Sequence, residues 1–176
     1  VGPAAIQLAR WAGATVITTV SSDAKAQLAR AAGAHHVIDY TQGDLVENIR
    51  AVAPDGVDQV VEVSLATNAA VDAEVAANHA VVAFYADDNG DTFAMPIRPT
   101  FAKNVRVQGV LLYTVGERAL DAAVADITRA LEDGALPVGE EAGLPLTWFP
   151  LAETAAAHDA VEAATVGKVL VRVADL

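Results

Sequence analysis

The stretch Ser21-Ser22-Asp23-Ala24-Lys25 follows the β-branched run Ala14–Val20, so its polar groups gather where a strand ends and a helix begins. Two hydroxyls and an ammonium, with no carboxylate before Asp23, are groups that could hold a phosphate ester, because a carboxylate in their place would repel it. The ordinary alternative is local: Ser22 caps the next helix, Asp23 complements its dipole and Lys25 is solvated. Asp23 could equally take the hydroxyls of a ribose. These residues alone leave the readings open. About 20 residues upstream, Val1-Gly2-Pro3 runs straight into a helical pattern. A glycine at that offset is where a strand–turn–helix motif ends whose helix N-terminus receives a pyrophosphate, and whose last glycine lets helix and sheet pack closely.

Other polar residues fall at the ends of later strand patterns: Tyr40, Ser64, Asn68, Tyr85, Asp87 and Asp88. Each alone reads as a loop residue; together they mark one rim of a sheet. His35 and His36 are adjacent on an extended segment and so point to opposite faces, which suits a helix exit better than a metal site. His158 reads as a surface or packing residue and Glu140-Glu141 as solvated. Glu62, inside an apolar strand, reads as a satisfied structural carboxylate. Serine occurs only at 21, 22 and 64, without nucleophile-elbow glycines, so no Ser-His-Asp arrangement is visible.

The elements that must position these groups alternate along the chain. Strand patterns fall at 14–20, 35–40, 57–64, 80–86, 105–113 and 168–173, with "LTWF" a further short one. Helical patterns fall at 3–12, 22–32, 44–52, 68–77, 117–133 and 151–164. Strands alternating with helices across short connections make a doubly wound, mostly parallel α/β sheet, with ligands at the carboxyl ends of its strands. The 176 residues suit one domain, and 53% hydrophobic residues can fill its core. A net charge of −12 argues against general nucleic-acid binding. No apolar run reaches the roughly 18 residues of a membrane span. The absence of cysteine removes disulfides, thiolate metal sites and a cysteine nucleophile, and fits a cytoplasmic protein.

Four blocks in order, "VGPAAIQLARWAGATVITTVSSDAKAQLARAAGAHHVIDY", "DGVDQVVEVSLATN", "TFAKNVRVQGVLLYTV" and "FPLAETAAAHDAVEAATVGKVLVRV", cover nearly the whole chain. They resemble the cofactor-binding Rossmann domain of medium-chain dehydrogenases/reductases, specifically the zinc-free, zeta-crystallin-like NADPH:quinone oxidoreductases. The resemblance implies NADPH rather than NADH, no zinc, and hydride transfer to a quinone or another electron-poor alkene or carbonyl. It places Val1 and Gly2 at the end of the pyrophosphate turn, and Ser21, Ser22 and Lys25 on the adenosine-phosphate pocket. Tyr40 falls beside the adenine and Asn68 after the fourth strand, near the cofactor. Tyr85 and Ala86 fall near the nicotinamide half; Leu111, Leu112 and Tyr113 border the nicotinamide. It further implies a homodimer formed through the edge strand near 105–112, with a small-molecule substrate and no nucleic-acid or membrane partner.

Two departures stand out. Asn78-His79-Ala80 occupies the place of the family's glycine pair, and Ala86-Asp87-Asp88 that of a Gly-Ser turn, where two acids oppose an anionic cofactor unless they point outward. The family's substrate domain, first Rossmann strand and glycine turn have no counterpart in these residues. In the strand order 3-2-1-4-5-6 the first strand is central, so its neighbours should each be left with an unpaired edge. The expectation is therefore one Rossmann domain over 1–176, truncated at its N-terminus, from an enzyme of roughly 320 residues. Residues from about 145 onward would pack toward the substrate domain. Two other readings are an isolated dinucleotide-fold module that binds or self-associates without turnover, and a methyltransferase on the same architecture, for which no C-terminal hairpin pattern is seen.

Overall fold

The computed structural model describes residues 2–86 and 90–174. Its elements run α1 (Gly2–Trp11), β1 (Ile17–Val20), α2 (Asp23–Ala31), β2 (His36–Asp39), α3 (Leu45–Val52), β3 (Val57–Glu62), α4 (Leu65–Val75), β4 (Ala76–Phe84), α5 (Ile97–Ala102), β5 (Arg106–Gly109), α6 (Glu117–Glu132), β6 (Leu146–Pro150), α7 (Thr154–Glu162) and β7 (Lys168–Arg172). The strands pair in parallel as β1–β2, β3–β4–β5 and β6–β7. The class is α/β and Rossmann-like. The chain forms two compact units, residues 1–41 with 127–176, and residues 42–126.

In the first unit, α1 and α2 bury one side each. Ile6, Ala26, Ala29 and Ala32 meet Val20 of β1 and Leu144, with Val16, Leu28 and Val37 packed around them. Small residues on α2 let the helix lie close to the strands. Ser22 caps α2, its Oγ accepting from the Lys25 N–H, and Gly33 takes φ +97° just beyond the helix, a conformation that costs other residues a steric penalty. β1 starts at Ile17 rather than at 14 for a local reason. The Val16 N–H donates to His35 Nδ1, and the Val16 carbonyl accepts from the His35 and His36 N–H groups, closing the ladder's entrance. His35 is thus a structural acceptor at a helix exit. β6, α7 and β7 make a separate parallel βαβ unit, with the Arg172 guanidinium 5.4 Å from the centre of the Trp148 ring.

In the second unit Val82 of β4 is fully buried against Leu65 and Ala69 of α4, ringed by Val60, Phe84, Met95, Val105 and Val107. The α4 helix begins at Leu65 instead of 68, because its first turn is held by Glu62 and buries Leu65 and Ala69. It passes straight into β4, which therefore begins at Ala76 instead of 80. The β3–β4 register jumps between Val57↔Ala76 and Gln59↔Val81, so the extra residues of β4 bulge. Gly56 (φ +96°) makes this join fit: a Cβ there would lie 2.6 Å from the Ala77 nitrogen. The α5 helix tolerates Pro99 because a first-turn residue has no intrahelical partner for its N–H. β5 ends at Gly109 instead of 113. Its partner ladder stops at Phe84, whose carbonyl accepts from the Val110 N–H, and residues Leu112–Thr114 form a 3-10 turn.

Among the described residues β1 pairs with β2 alone and β3 with β4 alone, so each keeps an open edge within its own unit.

Candidate functional site

The first unit brings Ser21, Ser22, Lys25 and Tyr40 to the carboxyl ends of its two parallel strands. The Tyr40 N–H donates to the Val20 carbonyl, so Tyr40 stands beside the residue preceding Ser21. Lys25 Nζ donates to Ser21 Oγ at 2.9 Å, one turn along the start of α2. Ser22 Oγ is spent on the cap, 3.4 Å from the Lys25 nitrogen. Ser22 thus caps the helix, while Ser21 and Lys25 form an exposed hydroxyl–ammonium pair. Asp23 is exposed in the first turn of α2. Asp39, which sequence reasoning passed over, ends β2, and its Oδ1 accepts from both the N–H and the hydroxyl of Thr41. A carboxylate so engaged rigidifies the turn after β2. The phenol of Tyr40 is half exposed beside it.

Gly2 opens α1, whose first turn carries no acidic residue. Nothing lies within 4 Å of the position a Cβ would take there, so the close packing expected of this glycine is not found among the described residues. Val1 lies outside the described residues, as do Asp87 and Asp88.

The second unit presents its own rim. The register aligns Glu62, Phe84 and Gly109 across β3, β4 and β5, so the segments that follow leave from one edge of the sheet. There stand Ser64 and Asn68 after β3, Tyr85 and Ala86 after β4, and Leu111, Leu112 and Tyr113 after β5. The Tyr85 N–H donates to the Glu62 carbonyl at 3.3 Å, which ties the second segment to the first. Leu111, Leu112 and Tyr113 are 57%, 62% and 88% exposed, a largely uncovered apolar lip.

Behind that rim lies a cluster of buried groups. Glu62 is 6% exposed and Asp72 5%. Glu62 Oε1 accepts from the N–H groups of Val63 and Ser64, and both its oxygens accept from Asn68 Nδ2, at 3.3 and 3.2 Å. Burial, and then the charge and hydrogen bond of Glu62, push the Asp72 carboxyl up to about 7. The sequence carried a signal for this pair: Asp72 lies four residues after Asn68, hence on the same side of α4, on a helix otherwise rich in Ala, Leu and Val. Among the described residues, no group of three or more His, Asp or Glu side chains is placed to hold a metal ion. None of their helices is long and apolar enough to cross a membrane.

Comparison with known proteins gives this geometry a family. Residues 1–129 match the family model described as zinc-binding dehydrogenase. A 2-haloacrylate reductase from a Burkholderia species is 49% identical over 53 residues, 30% of this chain and 16% of that protein. The quinone oxidoreductase of Escherichia coli complexed with NADPH superposes with a TM-score of 0.75 at 25% identity, over 97% of this chain and 53% of its own. A mycobacterial protein complexed with NADPH gives 0.77 at 26% identity, over 97% and 52%. Benzyl alcohol dehydrogenase from Acinetobacter calcoaceticus, at 17% identity, shares the fold with a TM-score of 0.79, over 98% and 47%. The chain thus spans about half the length of the solved structures it resembles and a sixth of the curated relative. A parallel Rossmann-like frame, polar groups at the carboxyl ends of its strands and a family match over most of its length lead to one assignment: the chain belongs to the zinc-binding dehydrogenase family, as a nicotinamide-dinucleotide-binding domain of the medium-chain dehydrogenase/reductase superfamily.

Proposed function

We propose that this chain is the cofactor-binding part of an NADPH-dependent, zinc-independent oxidoreductase that reduces a quinone or another electron-poor alkene or carbonyl. The observation that carries the cofactor preference is the Lys25 Nζ–Ser21 Oγ pair at the carboxyl end of β1. A 2′-phosphate there meets an ammonium and a hydroxyl, each able to form a charge-assisted hydrogen bond. With Ser22 committed to the cap, Ser21 is the serine free to rotate toward such a ligand. Tyr40 beside it offers a flat face to the adenine. On the second rim, Ser64, Asn68, Tyr85 and Ala86 would take the nicotinamide half, and the apolar lip Leu111–Tyr113 would keep water from the ring. The cofactor supplies the hydride; the protein's part is placement and exclusion of water. No residue of this chain is assigned a proton-transfer role.

The reading extends to the parent molecule. A longer protein, of the length of the solved structures that this chain half covers, would supply the substrate pocket and would be cytoplasmic. The outer side of β5 and the exposed Leu111–Tyr113 segment fit a two-fold contact between copies. The decisive experiment titrates the longer protein with NADPH and NADH and then replaces Lys25 with Ala. NADPH should bind the tighter of the two, and K25A should weaken NADPH about tenfold while leaving NADH nearly unchanged. Equal loss for both cofactors would remove the 2′-phosphate reading of Ser21 and Lys25. NADPH-dependent quinone reduction by the longer protein separates an enzyme from the second reading, a module that binds cofactor without turnover.

A further inference from the structure

The cluster behind the second rim holds more acid than its neighbours can neutralise. Glu62 and Asp72 are both nine-tenths buried, and they face each other across the join of β3 and α4. Two adjacent buried carboxylates repel, and neither could shed its charge to water. The donors are distributed unevenly. Glu62 collects the N–H groups of Val63 and Ser64 and the amide of Asn68, a donor set that suits an anion. Asp72 has none of these, and its Oδ2 is buried without a hydrogen-bond partner. A neutral carboxylic acid needs one acceptor and few donors, and Glu62 is that acceptor. The basic groups nearest along α4 are engaged elsewhere: Arg50 of α3 donates to the Glu74 carbonyl, and Lys103 after α5 to the carbonyls of Ala73 and Glu74. Glu47 on α3, Asp58 on β3, His79 on β4 and Arg98 on α5 are the remaining ionisable groups of the elements around α4, and none of them perturbs Asp72; Glu62 does.

We infer that Glu62 and Asp72 share a single proton, carried by Asp72, and that the resulting Glu62 anion fixes the Asn68 amide so that its Oδ1 faces the cofactor as a pure acceptor. The chemistry follows from the planarity of the amide. With Nδ2 donating to both oxygens of Glu62, the opposite atom of the group, Oδ1, is the one left to meet a ligand. An acceptor backed by an anion selects an N–H or O–H donor, such as a ribose hydroxyl or a carboxamide NH₂, and rejects a phosphate oxygen. Asp72 and Glu62 are therefore positioning residues, and Asn68 is the contact. This rests on the dinucleotide reading of the second rim, and the pair itself can be tested without it.

The tests are Asp72→Asn and Asp72→Ala in the same longer protein. Wild type should show the infrared stretching band of a buried protonated carboxyl at pH 6, fading as pH rises through about 7 and absent from D72N. Asn at 72 keeps a donor toward Glu62 but cannot ionise, so NADPH affinity in D72N should be flat between pH 6 and 8.5. Wild type should lose affinity severalfold over that interval, as a second carboxylate appears beside Glu62. D72A should bind about tenfold more weakly at pH 6, with D72N restoring most of the loss. No protonated-carboxyl band at pH 6, or the same pH profile of affinity in D72N and wild type, overturns the inference. Failure of wild type to bind either cofactor at any pH, with the band present, fails the dinucleotide reading and the Asn68 contact with it, and leaves the shared proton established.

Discussion

At the scale of single residues, four positions carry roles that the sequence alone leaves mixed. Ser21 and Ser22 are adjacent and chemically identical, yet one faces a lysine ammonium and the other caps a helix. Ser22→Ala should cost about 1 kcal/mol in thermal or urea unfolding while leaving the NADPH-to-NADH affinity ratio in place. Ser21→Ala should do the reverse. His79 is exposed and takes φ +66°, its N–H held by the Lys103 carbonyl, at the place where the resembled family carries glycine. His79→Gly keeps that backbone bond and relieves the strain, so stability should rise by about 1 kcal/mol. Asp72 carries a pH signature. It ionises near 3.8 when unfolded and near 7 when folded, so the folded chain holds the proton more tightly. Stability from this group is whole below about pH 4, declines as pH rises, and is spent once pH passes 7. At about 1.4 kcal/mol per pKa unit the span is a few kcal/mol, and D72N should flatten the melting-temperature profile over that window.

At the scale of elements, most of the alternation was legible because period and punctuation agree. "DLVENIRAV" carries its own cap, with Asp44 Oδ1 accepting from the Glu47 N–H, and "KVLVRV" is β-branched and bounded by turns. Boundaries were legible only where the reason was local. The early start of α4 depends on Glu62 reaching forward to the Val63 and Ser64 N–H groups. The early end of β5 depends on where β4 stops. Both are tertiary facts that no window of residues contains. The α5 helix was hidden by Pro96 and Pro99, which read as breakers although one precedes the helix at its N-cap and the other sits in its first turn. Gly56 shows the same principle in reverse: only the approach of Ala76 and Ala77 reveals why it must be glycine. Gly56→Ala should destabilise by more than about 2 kcal/mol, since strain at positive φ adds to a backbone clash that cannot relax, and denaturant melts would measure it.

At the scale of the whole molecule, the frame was far more legible than the site. The fold class and family follow from the order of four blocks, which survives sequence drift because it is set by sheet topology. Among the described residues the strands pair as three parallel groups, β1–β2, β3–β4–β5 and β6–β7. The polar positions were legible in the sequence, but their contacts were not. Ser21 and Lys25 hydrogen-bond one another, Gly2 has no close neighbour where a Cβ would sit among the described residues, and Asp72 went unnoticed because its burial against Glu62 is a tertiary fact. The central claim is that Ser21 and Lys25 receive the 2′-phosphate of NADPH, and competitive titration of the longer protein with NADPH and NADH tests it most directly. The account predicts NADPH tighter by at least about tenfold, the gap closing in K25A. NADH binding as tightly as NADPH, or more tightly, would contradict it.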